Sequence, residues 1–212
     1  MKFSQFFELI GLFSRVSRKG EITISQSPSL YQFKIELKGI EPPIWRRIRL
    51  RGDYTFEILH RAIIKSMGWN GSHQHCFTMT DPGTGIEIMI HPATPGGSWD
   101  FGPVSRMEEE HKINEYFTAD NRECLHEYDF GDSWKHLITC EEIIEAKESD
   151  PKPELVDGER ACPPDDVGGV PGYFGFLEAI NDPDHPEHER WLRWNGGVFD
   201  PDDFDPEEID FT

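Results

Sequence analysis

The histidines His73 and His75 are the two residues whose types and spacing most resemble a pair of metal ligands. Their segment, 73–79, is predicted to be a β-strand, and residues two apart on a strand project from the same face. Two imidazoles on one face can chelate a divalent metal when another segment supplies a third ligand. Candidates for the third ligand are His91, Cys162, Asp165 and Asp166. The alternative is that both histidines pack and form hydrogen bonds near Trp69.

Cys162 is the cysteine whose neighbours could support chemistry. It is followed by two prolines, by Asp165 and Asp166, and by the pair Gly168–Gly169. A nucleophilic cysteine needs an electropositive environment that stabilises its thiolate, whereas neighbouring carboxylates raise the pKa of a thiol. We therefore interpret this segment as a rigid structural loop, with metal ligation as the alternative.

Basic side chains alternate along a predicted β-hairpin and form what we call the basic stripe. Its members are Lys34 and Lys38 on the first strand and Arg47, Arg49 and Arg51 on the second. Clustered Lys and Arg side chains are typical of phosphate binding, so the stripe is a candidate nucleic-acid site. Like charges on neighbouring strands repel each other and call for nearby acids. We expect the acidic tail, 200–210, to cover the stripe and to prevent nucleic-acid binding by the full-length chain.

Motifs of the common enzyme classes are incomplete in this sequence. Asp129-Phe130-Gly131 matches the metal-binding triplet of protein kinases, but no glycine-rich loop, strand lysine or catalytic-loop motif accompanies it. The chain also contains no phosphate-binding Gly-Lys-Ser/Thr loop, no serine nucleophile elbow and no dinucleotide fingerprint. The sequence therefore favours a non-catalytic protein over an enzyme.

The elements that must position these residues follow from the periodicity of the apolar side chains. Apolar residues at helical spacing predict a helix over 55–67, which we expect to pack across the hairpin 31–51. Strands before helices indicate an α+β fold with a largely antiparallel sheet, an N-terminal hairpin, a packed central helix and short C-terminal helices. Further strands are predicted at 73–79, 86–90, 124–130 and 134–144, helices at 173–180 and 187–194, and a long connection at 148–172.

A single domain is predicted over residues 29–206. The preceding extension, 1–28, contains a predicted amphipathic helix at 3–13 and a connector at 20–30. Residues 207–212 form the end of the acidic tail.

Charge is distributed unevenly along the 212 residues, whose formal net charge is −19. Residues 1–106 carry 13 basic and 9 acidic side chains, and residues 107–212 carry 8 basic and 31 acidic ones. An acidic half of this kind is either a solvated face or a surface for a basic protein partner. Four widely spaced cysteines without a Cys-x-x-Cys pair indicate reduced thiols and a cytoplasmic protein. No apolar run reaches the ~20 residues of a membrane span.

Four motifs in this order carry a resemblance to a known family. They are Pro43–Arg47, Leu59–His75 with its Met67-Gly68-Trp69 and His73-Gln74-His75, Tyr128–His136, and Ala161–Gly169. Over residues 29–206 the chain resembles the Ri-plasmid ORF-three-like family, which occurs on plasmids and beside insertion sequences as passenger proteins. The resemblance implies a small α+β domain without an established activity, and it supplies no catalytic residues.

Three functional hypotheses follow. The first is a non-catalytic interaction domain of a family associated with mobile elements. The second is a metal-dependent enzyme that uses the His73–His75 pair and the Cys162–Asp166 loop. The third is nucleic-acid binding through the basic stripe. No cofactor is predicted beyond a divalent metal in the second hypothesis.

Overall fold

The structure, a computed structural model, describes residues 12–16, 22–26, 29–93, 104–146, 153–209 and 211. The strands are β1 (Leu12–Val16), β2 (Ile22–Gln26), β3 (Ser29–Leu37), β4 (Ile44–Arg51), β5 (His75–Thr80), β6 (Glu87–His91), β7 (Ser105–Met107), β8 (Glu123–Tyr128), β9 (Trp134–Glu145) and β10 (Glu154–Glu159). The helices are α1 (Phe56–Met67), α2 (Ile113–Tyr116), α3 (Gly169–Asn181) and α4 (His188–Asn195), followed by a short 3-10 helix at Pro206–Glu208.

Within the described residues, eight strands form one sheet in the order β10-β4-β3-β9-β8-β5-β6-β7. Neighbouring strands are antiparallel except β6 and β7, which run parallel. The strands β1 and β2 pair with each other in a separate antiparallel hairpin. The predicted α+β fold with a largely antiparallel sheet is confirmed.

The hydrophobic core lies between helix α1 and one face of the sheet. Ile35 of β3 and Ile48 of β4 point into it, as do Phe56, Leu59 and Ile63 of α1, and all five are fully buried. Burial of each such side chain contributes roughly 1.5–3 kcal/mol, so the apolar stripe fixes the face that α1 presents. The predicted packing of this helix against the hairpin is confirmed.

Two predictions for the second half of the domain are wrong in their boundaries. Strand β10 lies inside the segment 148–172 that the sequence predicts to be a connection, and α3 begins at Gly169 rather than at residue 173. Proline and glycine content is a local signal, whereas β10 is held by its pairing with β4 at the edge of the sheet. The acidic residues of β10 face arginines of β4, which makes this pairing favourable.

The N-terminal extension also differs from its prediction. Residues 22–26 form β2 where the sequence predicts a connector, and β1 begins at Leu12, within the predicted helix 3–13. The rest of that predicted helix lies outside the described residues. None of the helices that the structure describes is both long and apolar enough to cross a lipid bilayer.

Candidate functional site

Three residues from distant parts of the sequence meet at one corner of the domain. His73 lies just before β5, Asp129 lies in the turn between β8 and β9, and Asp166 lies in the loop that leads into α3. His73 Nε2 is 2.9 Å from Asp166 Oδ1, and His73 Nδ1 is 3.6 Å from Asp129 Oδ2. Among the described residues, this is the only group of three or more His, Cys, Asp or Glu side chains that could hold a metal ion, with ligand atoms within 4.8 Å of one another.

The contact between His73 and Asp166 is not a hydrogen bond. Nε2 is buried and has no hydrogen-bond partner among the described residues, although the Asp166 oxygen is close to it. The geometry between the two atoms is therefore not that of a hydrogen bond. Two ligand atoms bound to one metal at about 2.0–2.2 Å lie about 3 Å apart while both are directed at the metal. The 2.9 Å separation agrees with that arrangement.

Both aspartates are held in an unusual backbone conformation. Asp129 has φ +54° and Asp166 has φ +62°, in the left-handed region that non-glycine residues enter rarely and Asp and Asn more readily than the others. Asp129 Oδ1 accepts a hydrogen bond from the Gly131 N–H at 2.9 Å, so its Oδ2 is the atom left facing His73. Residues held in this region cluster at functional sites, because the surrounding structure must offset the cost.

Hydrogen bonds from neighbouring segments fix the loop that carries Asp166. The Trp69 indole N–H donates to the Pro163 carbonyl at 2.8 Å, and the Asn70 N–H donates to Asp165 Oδ2 at 3.1 Å. Asp165 therefore holds the loop in place and does not belong to the ligand group. The turn between β8 and β9 contributes as well, since the carboxylate of its Asp132 accepts from the Gly168 N–H at 3.0 Å.

Arg46 is the residue that ties this loop to the sheet, and the sequence reasoning missed it. Its side chain is buried, which lowers the pKa of the guanidinium from its ordinary value. The guanidinium donates to the carbonyls of Ser66, Trp45, Glu159 and Arg160 and to Cys162 Sγ. The signal was present in the alternation of β4, because Arg46 stands at an inward position between Trp45 and Arg47.

Cys162 takes no part in the ligand group. Its Sγ lies 3.1 Å from Arg46 Nη2 and 3.1 Å from Met67 Sδ. Burial raises the pKa of the thiol to about 11, and the nearby Arg46 charge only partly opposes this shift. A thiol that stays protonated at neutral pH is a poor nucleophile. These contacts agree with the predicted structural loop.

The predicted pairing of His73 with His75 on one strand face is wrong. Strand β5 begins at His75, so His73 precedes it and turns toward the two aspartates. His75 is buried instead, with Nε2 at 2.7 Å from Glu108 Oε2. His91, a further candidate ligand, lies on β6 with Nδ1 at 2.9 Å from the Pro92 carbonyl oxygen.

His75 belongs to a buried histidine cluster that the sequence reasoning missed. Its other members are His60 of α1, His126 of β8 and His136 of β9, and the rings of His60 and His75 are stacked at 3.3 Å. His60 Nδ1 lies 3.0 Å from His126 Nε2, and His126 Nδ1 lies 3.2 Å from His136 Nδ1. Burial lowers the pKa of His60 to about 2, that of His136 to about 4, and that of His126 well below its ordinary value. These three rings are therefore neutral at pH 7.

Acids from the sheet itself accompany the basic stripe. Arg47 binds Glu141 of β9 at 2.7 Å and Asp157 of β10 at 3.1 Å. The hydrogen bond and charge of Arg47 lower the pKa of Glu141. The other members lie near acids too: Arg49 near Glu154, Arg51 near Asp53, and Lys34 and Lys38 near Glu36.

The prediction that the acidic tail covers the basic stripe is wrong. Phe204 of the tail packs on Arg46, with the guanidinium carbon 4.2 Å from the ring centroid, and Asp202 binds Arg160 at 2.8 Å. Arg46 alternates with the stripe residues along β4, so the tail lies on the opposite face of that strand. The buried cation on the inner face attracts the aromatic ring, and the stripe already has acids on neighbouring strands.

Comparisons with known proteins agree with this architecture. The domain is an α+β protein, and a crystal structure of a protein of unknown function, MM3350 from Methanosarcina mazei Go1, matches it with a TM-score of 0.79 and 39% identity, covering 87% of this chain and 99% of that one. The uncharacterized protein y4hQ of Sinorhizobium fredii (strain NBRC 101917 / NGR234) is 31% identical over 184 residues, 87% of this chain and 88% of that protein.

The family model for plasmid pRiA4b ORF-3-like proteins matches residues 29–208. The chain belongs to this family. The resemblance inferred from the four sequence motifs is confirmed.

Proposed function

We propose that this protein is a metal-binding interaction domain, in which a divalent cation bound by His73, Asp129 and Asp166 fixes the loop before α3. The observation that carries the proposal is the buried, unpartnered Nε2 of His73 beside a carboxylate oxygen at 2.9 Å. An association with plasmids or insertion sequences and a cytoplasmic location are part of the proposal. The four free cysteines support a reducing compartment.

The proposed ligands indicate which cations the site prefers. One imidazole and two carboxylates are a nitrogen-and-oxygen set that suits Zn²⁺ or Mn²⁺, whereas Cu⁺ prefers the sulfur ligands that this group lacks. Three protein ligands leave coordination positions for water or for a group of a partner. Because Asp166 lies three residues before Gly169, the first residue of α3, a cation at this site would order the start of that helix.

A binding role is favoured over catalysis by the chemistry of the surrounding groups. The thiol of Cys162, four residues before Asp166, has a raised pKa, and it contacts Arg46 and Met67 rather than the ligand group. Nucleic-acid binding is not part of the proposal. Each member of the basic stripe lies near an acid, and the net charge of −19 repels phosphate.

The metal site can be tested by calorimetric titration of the full-length, chelator-treated protein with ZnCl₂ and with MnCl₂. We expect one ion per chain for at least one of the two metals. The variant Asp166→Asn removes the ligand charge but keeps a residue that tolerates positive φ, so the loop is retained. It should weaken metal binding at least tenfold, and His73→Ala should do the same.

Asp203→Asn is the matched control, because it removes an equal charge from an exposed position of the acidic tail. It should bind metal as the unmodified protein does. Stoichiometric binding that Asp166→Asn and His73→Ala leave unchanged would contradict the proposed ligands. Absence of binding for both metals would contradict the proposed function.

A further inference from the structure

Helix α4 presents aromatic side chains that the domain does not bury. None of its residues is buried, and Trp194 remains 45% exposed. The rings of Trp191 and Trp194 are perpendicular with centroids 5.1 Å apart. Both rest on Phe176 of α3, at 5.5 and 6.2 Å respectively. We call Trp191 and Trp194 the tryptophan platform.

The segments that carry and flank the tryptophan platform are rich in acidic residues. Residues 170–212 contain 12 acidic side chains and two arginines. Both arginines lie on α4 and are paired within one turn, Arg190 with Glu187 and Arg193 with Glu189. In the tail, Asp202 binds Arg160. Glu178 on α3 and Asp182 and Asp184 in the turn to α4 are exposed, and none of the ion pairs among the described residues includes them. These acids lie on the elements next to the platform and give this face a negative potential.

We propose that the tryptophan platform and its acidic surroundings bind a lysine- and arginine-rich segment of a partner protein. Apolar side chains of that segment would pack on Trp194, and its cations would face the acids. Tryptophan rings also attract cations directly, as the Arg190 guanidinium 5.7 Å from the centroid of the half-buried Trp191 illustrates. This inference names the partner of the proposed interaction domain and rests on that function.

Charge distinguishes this occupant from the others that an aromatic surface can take. A second copy of the chain would bring the same excess of acids to the contact, and like charges disfavour it. An anionic membrane surface is repelled for the same reason. Binding of a basic segment is favoured by the opposite charges and also by burial of the platform.

The probe for this surface is a 14-residue peptide of lysine and leucine at helical spacing, titrated into the full-length protein and followed by tryptophan fluorescence. A peptide with glutamate in place of lysine is its control. We expect saturable binding of the basic peptide, a decrease of at least tenfold in Trp194→Ala, and weaker binding in 0.5 M than in 0.05 M NaCl. Ile86→Ala, which truncates an exposed apolar side chain between β5 and β6, should bind as the unmodified protein does.

Equal affinity of Trp194→Ala and the unmodified protein would overturn the proposal, and so would binding of the glutamate peptide. Self-association in sedimentation experiments that Trp194→Ala abolishes would assign the surface to a second copy and also overturn it. The metal titration of Asp166→Asn reports separately on the proposed cation site. Peptide binding that survives in that variant supports the docking surface even if the cation site fails.

Discussion

Acidification from pH 7.5 to pH 5.5 is expected to destabilise this protein strongly through its buried histidine cluster. His60, His126 and His136 have pKa values far below the ordinary value near 6.5 because burial disfavours their charged forms. Below pH 6.5 the unfolded chain binds protons at these positions and the folded chain does not. Their contribution to stability is therefore complete above pH 6.5 and decreases as the pH falls toward the folded pKa values.

The size of the stability loss follows from the lowered pKa values of the three histidines. One histidine that stays neutral in the folded state loses about 1.4 kcal/mol of stabilisation between pH 7.5 and pH 5.5, so three lose about 4 kcal/mol. A protein whose free energy of unfolding is about 5–15 kcal/mol would lose a quarter or more of its stability. With a denaturant slope of about 2 kcal/mol per M urea, the unfolding midpoint should fall by about 2 M.

Urea unfolding at the two pH values measures this loss. Trp69 and Trp134 are buried, Trp69 packs against His136, and their fluorescence reports the transition. The variant His136→Gln keeps an amide that can bond His126 but removes one titrating ring, so its loss should fall to about 2.7 kcal/mol. For each protein, the free energy of unfolding at pH 5.5 is subtracted from that at pH 7.5. A cost of the substitution that does not depend on pH therefore cancels.

Arg193→Gln is the control for this experiment, because it lies on the exposed face of α4 away from the cluster. It should lose as much stability on acidification as the unmodified protein. A stability that does not change between pH 7.5 and pH 5.5 would refute the reasoning. An unchanged loss in His136→Gln would show that other groups cause the acid sensitivity.

Two further predictions concern the loop before α3. Arg46→Lys should lower the free energy of unfolding in urea by about 3 kcal/mol, because one ammonium group cannot replace a guanidinium that donates to several carbonyls. A loss below about 1 kcal/mol would contradict this role of Arg46. Gly169→Ala should cost more than about 2 kcal/mol, since Gly169 has φ +67° and its added Cβ would lie 2.4 Å from the Asp132 carbonyl oxygen. Gly175→Ala, in open space on α3, should instead stabilise by about 0.5–1 kcal/mol, and thermal unfolding of the pair checks both.

Strand β4 shows which features a local sequence pattern predicts and which ones require the tertiary structure. Alternation along this strand predicts which side chains point outward, and it placed Arg47, Arg49 and Arg51 on one face correctly. The same alternation places Arg46 inward, but periodicity does not indicate what a buried guanidinium would bind. One acceptor, the Ser66 carbonyl, comes from α1. Two others come from Glu159 at the end of β10 and from Arg160 after it, more than 100 residues further along the chain.

The candidate metal group was also only partly predictable from the sequence. The sequence singled out His73 and Asp166, but the third member, Asp129, was considered only as part of a kinase-like triplet. A shift of two residues in the start of β5 separated His73 from His75 and sent their side chains to different environments. Strand boundaries depend on pairing with neighbouring strands, which no local pattern contains.

Short-range periodicity and the order of the motifs are enough to predict the α+β class, the β3–β4 hairpin, the buried stripe of α1 and the family. The tertiary structure alone decided where β10 pairs, which face the acidic tail occupies, and which side chains meet at the corner beside α3. The buried histidine cluster is also a feature that only the tertiary structure explains. His126 and His136 face each other in the β8–β9 hairpin, but they lie more than 50 residues after His60 and His75. Only the pairing of β8 with β5 and the packing of α1 bring the two pairs of rings together.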